Sequence, residues 1–147
     1  MIHRALWVGR WGVDFFFAPD GYDRERILDC LYDCGASLSV LQRASELMSG
    51  CYMEKASRQG LMYGCGYNQG FTFSNPSLLQ AVVVIGPTTS GAEFQDTVVH
   101  ELYHLATAIG ASLGIDLLGE EAAYLSGDTM RDLADIVCEL GCRRCRH

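Results

Sequence analysis

Apolar positions change period several times along the chain, and each change predicts an element. Leu6 to Phe17 (Leu-Trp-Val-Gly-Arg-Trp-Gly-Val-Asp-Phe-Phe-Phe) is dense in aromatic and β-branched residues. It predicts a strand, bent or bulged at Gly9 or Gly12, and Pro19-Asp20-Gly21 closes it as a turn. From Tyr22 to about Met48 the spacing is helical. Ile27, Leu28, Leu31 and Cys34 recur on one face, then Leu38, Leu41, Leu47 and Met48, with Gly35 separating two helices or kinking one. Ser49 to Gly70 has no clear period and reads as irregular chain with short strands. Leu79 to Ile85 is a near-continuous β-branched run, the mark of a strand buried on both faces, and Gly86-Pro87 stops it.

Ser90-Gly91-Ala92-Glu93 fits a helix-capping box, a hydroxyl followed three residues later by a carboxylate. It opens a helix from about Gly91 to Ile109, ending near Gly110. Asp116 is placed to cap a last helix from Leu117 to about Leu140. Gly127 inside that helix costs about 1 kcal/mol relative to alanine, and marks a kink or a close approach. Strand, helices, strand, helix, helix is the order of a single α+β domain over residues 1–147.

Composition narrows the function classes. The 147 residues are 49% apolar and 20% charged, with a net charge of -7; a compact globule suits that balance and a disordered chain does not. The only basic run is Arg143-Arg144-Cys145-Arg146, so nucleic acid is not an expected partner. Arg10 and Asp14 interrupt the apolar start, and no stretch approaches the ~18 apolar residues of a membrane span. The expectation is a cytoplasmic protein with no membrane partner. An odd cysteine count of 7, without an export signal, favours free thiols over a disulfide framework.

The chemistry concentrates in His100-Glu101-Leu102-Tyr103-His104. Histidines four apart on a helix project from one face, and both imidazoles can reach a single Zn²⁺ at ~2.0–2.1 Å. Glu101, between them, is placed to take a proton from a zinc-bound water and pass it to the leaving group. Val98, Val99, Leu102 and Leu105 surround the motif, and burying two histidines and a glutamate among them would be costly without a metal. A catalytic zinc needs a third protein ligand, for which Asp116, Glu120, Glu121, Asp128 and His147 follow in the chain.

From Leu79 to Leu140 the chain resembles the gluzincin zinc metallopeptidases, in which His-Glu-x-x-His is followed by a glutamate on the next helix, commonly in Glu-x-x-Ala/Ser-Asp. Here the stretch is Glu120-Glu121-Ala122-Ala123-Tyr124. The resemblance implies Glu120 as third ligand, with Glu121 in reserve, and it puts Tyr124 where the family often has an aspartate that orients a ligand histidine. It also implies a small zincin-like fold, a short twisted sheet packed against the active-site helix, whose edge strand pairs with an extended peptide. A weaker likeness links the chain to small His-Glu-x-x-His proteins of phages and mobile elements.

Other residues carry weaker signals. Tyr103 and Tyr124 could donate to an oxyanion or serve as amphipathic core residues. Glu121 and Asp128 could hold a histidine tautomer or lie on a solvated face. Cys138, Cys142, Cys145 and His147 have the composition of a second, structural zinc site, compressed at the chain end. Cys30 and Cys34 share a helix face and read as core, as do Trp7, Trp11 and Phe15 to Phe17. The expected function is zinc-dependent hydrolysis of a peptide or protein amide, with Glu101 as general base. The alternative is a latent or non-catalytic zincin fold acting as a protein-binding module, and a third option is a toxin- or antitoxin-like regulator.

Overall fold

Two strands form where the first apolar segment predicts one. β1 (Ile2–Val8) and β2 (Trp11–Phe17) run antiparallel, in register from Ile2 opposite Phe17 to Val8 opposite Trp11. Gly9 and Arg10 make the turn, with Gly9 at φ 60°, the conformation a tight hairpin loop demands. The glycine expected to bend a strand reverses the chain instead. The two tryptophans therefore part company: Trp11 is 1% exposed in the core, whereas Trp7 is 76% exposed and lies over Gly12.

The computed structural model describes residues 1–49 and 70–145. The stretch read as irregular thus lies outside the described residues except at its ends, where Ser49 closes a helix and Gly70 opens a strand. That strand, β3 (Gly70–Asn75), forms an antiparallel hairpin with β4 (Gln80–Ile85). At the turn the Asn75 side chain accepts from the Ser77 N–H at 3.1 Å and donates to the Cys34 carbonyl at 2.9 Å. The sheet order is β1-β2-β4-β3, with β2 and β4 parallel. β4 is interior, and Ala81 to Ile85 are all buried, as an unbroken apolar run requires.

Strand alternation sorts the core into two. Val13, Phe15, Phe17, Ala81, Val83 and Ile85 face α3 (Gly91–Leu113) and α5 (Ala134–Cys145), meeting Phe94, Val98, Leu105, Ile109 and Leu140. Phe16, Val82 and Val84 face the other way, against Ile27 and Leu31 of α1 (Arg24–Asp33) and Ala44 and Met48 of α2 (Leu38–Ser49). Burying each of these side chains other than the alanines stabilises the fold by about 1.5–3 kcal/mol. The result is a small α+β domain whose described residues form a mixed four-stranded sheet and five helices packed against it. No helix among the described residues is long and apolar enough to cross a membrane.

Helix ends refine several expectations. Between α1 and α2 the Gly35 N–H bonds the Tyr32 carbonyl and the Ala36 N–H bonds the Leu31 carbonyl, both at 2.9 Å, a Schellman end built on a residue at φ 81° that favours glycine. Ser90 caps α3 as expected, accepting from the Glu93 N–H at 3.1 Å. The Glu93 carboxylate bonds the amide and hydroxyl of Thr89, one residue before the cap. α3 does not stop near Gly110. It packs that glycine against Leu117 and continues to Leu113, ending at Gly114 with φ 69°.

The last expected helix is two. Asp116 holds a short turn, accepting from the Leu118 N–H at 3.0 Å, and α4 (Glu120–Asp132) begins after Gly119. The break to α5 falls at Leu133, which is 1% exposed in the larger core. Gly127 has open space around it, so it marks no close approach.

Candidate metal centre

α3 carries the motif. At about 100° per residue, His100 and His104 lie roughly 40° apart on the helix, and Glu101 lies about a quarter-turn round toward β3. The two Nε2 atoms stand 3.0 Å apart, with the rings edge to face at 76°. Nitrogens sharing a tetrahedral Zn²⁺ would be separated by roughly 3.3 Å, from bonds of ~2.0–2.1 Å, so the pair fits a shared ion. The same approach also serves as an N–H···N bond between neutral rings. Both histidines are exposed, as is Val99 at 59%, which corrects the expectation that burial among apolar neighbours demands a metal.

The buried member is Glu101, 4% exposed. Its Oε2 accepts from the Thr72 hydroxyl at 2.6 Å, tying the motif helix to β3. This approach depends on Gly70. A Cβ there would stand 2.6 Å from the Val84 carbonyl oxygen and 3.1 Å from Glu101 Cγ, and the first of these is backbone that cannot swing away. Gly70→Ala is expected to cost about 1–3 kcal/mol by overpacking, read as a lower urea midpoint. An unchanged midpoint would show that β3 is free to move off the helix.

His100, Glu101 and His104 border a groove of about 680 Å³ that passes around β3 to Val40, Arg43 and Ala44 of α2. Among the described residues β3 is an edge strand, paired only with β4. The edge strand beside the motif is therefore β3 and not the interior β4, and no described residue pairs with its outer row of backbone donors and acceptors.

Neither Glu120 nor Glu121, the ligands that the resemblance implies, is brought to the histidine pair. Among the described residues, no Asp, Glu or Cys brings a ligand atom within 4.8 Å of both histidines. Glu120 and Glu121 are exposed. α4 turns Ala122, Ala123 and Ser126 toward Tyr103, Ala106 and Thr107 of α3, lining a separate cavity of about 340 Å³. Helical geometry then sets both glutamates roughly 110–150° away from that contact face. Asp116 is occupied by Leu118, Asp128 pairs with Arg131 at 2.9 Å, and His147 lies outside the described residues. Tyr103, 66% exposed, sits beside the pair with its ring 6.2 Å from that of His104, while Tyr124 is 64% exposed on α4.

A different trio does converge. Asp14, Cys30 and Cys34 each bring a ligand atom within 4.8 Å of the others, on the opposite side of the sheet. Burial first, and then the Asp14 carboxylate, pushes both thiols above their ordinary range. As expected, Cys34 is 4% exposed in the smaller core and the half-buried Cys30 packs against it; both are free thiols. Their spacing of four repeats that of the histidine pair and was visible in the sequence, as was a strand through Asp14, but the packing that brings the two together was not. Of the terminal cluster, Cys138 and Cys142 are exposed and free; His147 and the Cys145 side chain lie outside the described residues.

Comparison of the chain with protein-family models, with curated proteins and with solved structures returned no match.

Proposed function

We propose that the chain is a zinc-dependent metallohydrolase, a zincin-like peptidase acting on a peptide or protein amide. One observation carries this reading: two Nε2 atoms 3.0 Å apart, with a buried carboxylate at the next position, open together on a groove along an edge strand. His100 and His104 would hold the ion. When bound, zinc would supply Lewis-acid polarisation of the scissile carbonyl and acidify water.

The chain's own groups account for the rest. Glu101 takes a proton at its carboxylate and returns it to the leaving amine, and Thr72 keeps that carboxylate aimed. The outer edge of β3, unpaired among the described residues, lays out an extended peptide by backbone pairing. The exposed Tyr103 phenol is placed to donate to a developing oxyanion. Glu120 does not enter this arrangement, and the reading rests on the two histidines and Glu101. Free thiols at Cys30, Cys34, Cys138 and Cys142 suit a reducing compartment such as the cytoplasm.

The second reading is a protein-binding module that keeps the scaffold without turnover. It is favoured by the lack of a third ligand among the described residues. Metal analysis separates the two. With the full chain purified without a histidine tag and dialysed against zinc, His104→Ala is expected to lower the zinc content by about one ion per chain, as loss of a shared ligand requires. A zinc content equal to that of the parent chain overturns the metallohydrolase.

A further inference from the structure

We infer that Asp14, Cys30 and Cys34 form a second cation site, separate from the histidine pair and suited to a thiophilic divalent metal such as Zn²⁺, with His3 as its supporting residue. Two elements build it. β2 turns Asp14 to the same face as Phe16, and α1 and its C-cap project Cys30 and Cys34, four residues apart, down onto that face. The three ligand atoms already lie within 4.8 Å of one another. Around a tetrahedral zinc, with bonds of ~2.3 Å to sulfur and ~2.0–2.2 Å to oxygen, they would be roughly 3.5–3.8 Å apart. Small side-chain rotations close that difference.

The surroundings are those of a built site. His3 stacks on Phe16 with ring centroids 4.4 Å apart, which fixes its plane. Its Nδ1 lies 3.1 Å from an Arg26 guanidinium nitrogen. A guanidinium has only donors, so Nδ1 accepts and the ring proton is on Nε2. That Nε2–H donates to Asp14 Oδ1 at 2.6 Å. One carboxylate oxygen is thus held by a ring that is itself held, and the carboxylate also meets the Cys30 thiol, whose proton a bound cation would replace. Outer hydrogen bonds of this kind orient metal-ligating carboxylates. On the far side, the Cys34 carbonyl is anchored by Asn75 at 2.9 Å, which steadies the end of α1. Two thiolates and a carboxylate select a soft metal over Mg²⁺ or Ca²⁺, and a three-residue set leaves one coordination position open.

The test uses Co²⁺ alone, added to the reduced full-length chain, because cobalt bound by thiolate shows a sulfur-to-metal charge-transfer band that a histidine–carboxylate site does not. The band is expected to saturate near about one equivalent. It should persist in the Cys138→Ser/Cys142→Ser/Cys145→Ser variant and vanish in Cys30→Ser/Cys34→Ser. His3→Ala should keep the band while weakening cobalt binding about 10- to 100-fold. A second measurement needs no variant. In the parent chain, Zn²⁺ should slow iodoacetamide alkylation of Cys30 by about tenfold or more, read by peptide mass, while exposed Cys138 reacts as before. A band that survives loss of Cys30 and Cys34, no band in the parent chain, or alkylation of Cys30 indifferent to Zn²⁺ each overturns the site. None of these readouts depends on Glu101 or on hydrolysis.

Discussion

Replacing Glu101 by glutamine is expected to lower peptide hydrolysis by about 100- to 10,000-fold, the usual contribution of a positioned general base, and to leave bound zinc unchanged. Glutamine matches glutamate in shape, and its carbonyl oxygen can still accept from the Thr72 hydroxyl, so the tie between α3 and β3 survives. What is lost is a site that can take up a proton. The measurement is turnover of a mixed fluorogenic peptide set, with zinc content determined on the same samples. Equal turnover in E101Q removes Glu101 from the chemistry. Loss of zinc together with turnover makes it a ligand instead of a base. Glu101→Ala is the less informative change, because it leaves the Thr72 hydroxyl only the longer bond to the main-chain carbonyl of residue 101, at 3.3 Å, empties a buried position and mixes stability with catalysis.

Phe15→Ala is expected to destabilise the fold by about 3–5 kcal/mol, the range for deleting a fully buried phenylalanine. Phe15 is 1% exposed on β2, an interior strand, and it points into the larger core against α3 and α5. The hole cannot collapse easily, because β1 and β4 hold β2 on both sides. A total stability of about 5–15 kcal/mol is normal, so the variant should unfold at a much lower urea concentration. Trp7→Ala is the matched control: at 76% exposure it should change stability by no more than about 0.5 kcal/mol. Similar losses from both would mean that the two faces of the hairpin have been assigned the wrong way round.

Local signals were legible where a residue acts on its own neighbourhood. Val82 to Ile85 announce an interior strand, Ser90 announces a helix start, and Gly35 announces a boundary, because each depends on the few residues beside it. The histidine pair was legible for the same reason, since helical period alone brings the rings together. β3 was missed because its alternating Phe71, Thr72, Phe73 and Ser74 are all only partly buried; the Asn75-Pro76 turn after it was the usable clue. The break at Leu133 has no glycine or proline to mark it, and packing decides it. The placement of Glu120 and of Asp14 was illegible for a shared cause. Whether a helix or a strand turns a given carboxylate toward another element depends on tertiary contact, which spacing along the chain does not encode.

The Thr72 hydroxyl gives β3 two duties at once. The strand that would seat an extended peptide on its outer edge also steers the buried carboxylate on its inner face. Peptide binding and the placement of Glu101 would then be linked through one strand: a ligand that seats β3 firmly would steady Glu101, and whatever steadies Glu101 would favour that ligand to the same degree. A poorly fitting peptide would be both loosely held and slowly cut, so selectivity would show in the turnover step as well as in affinity.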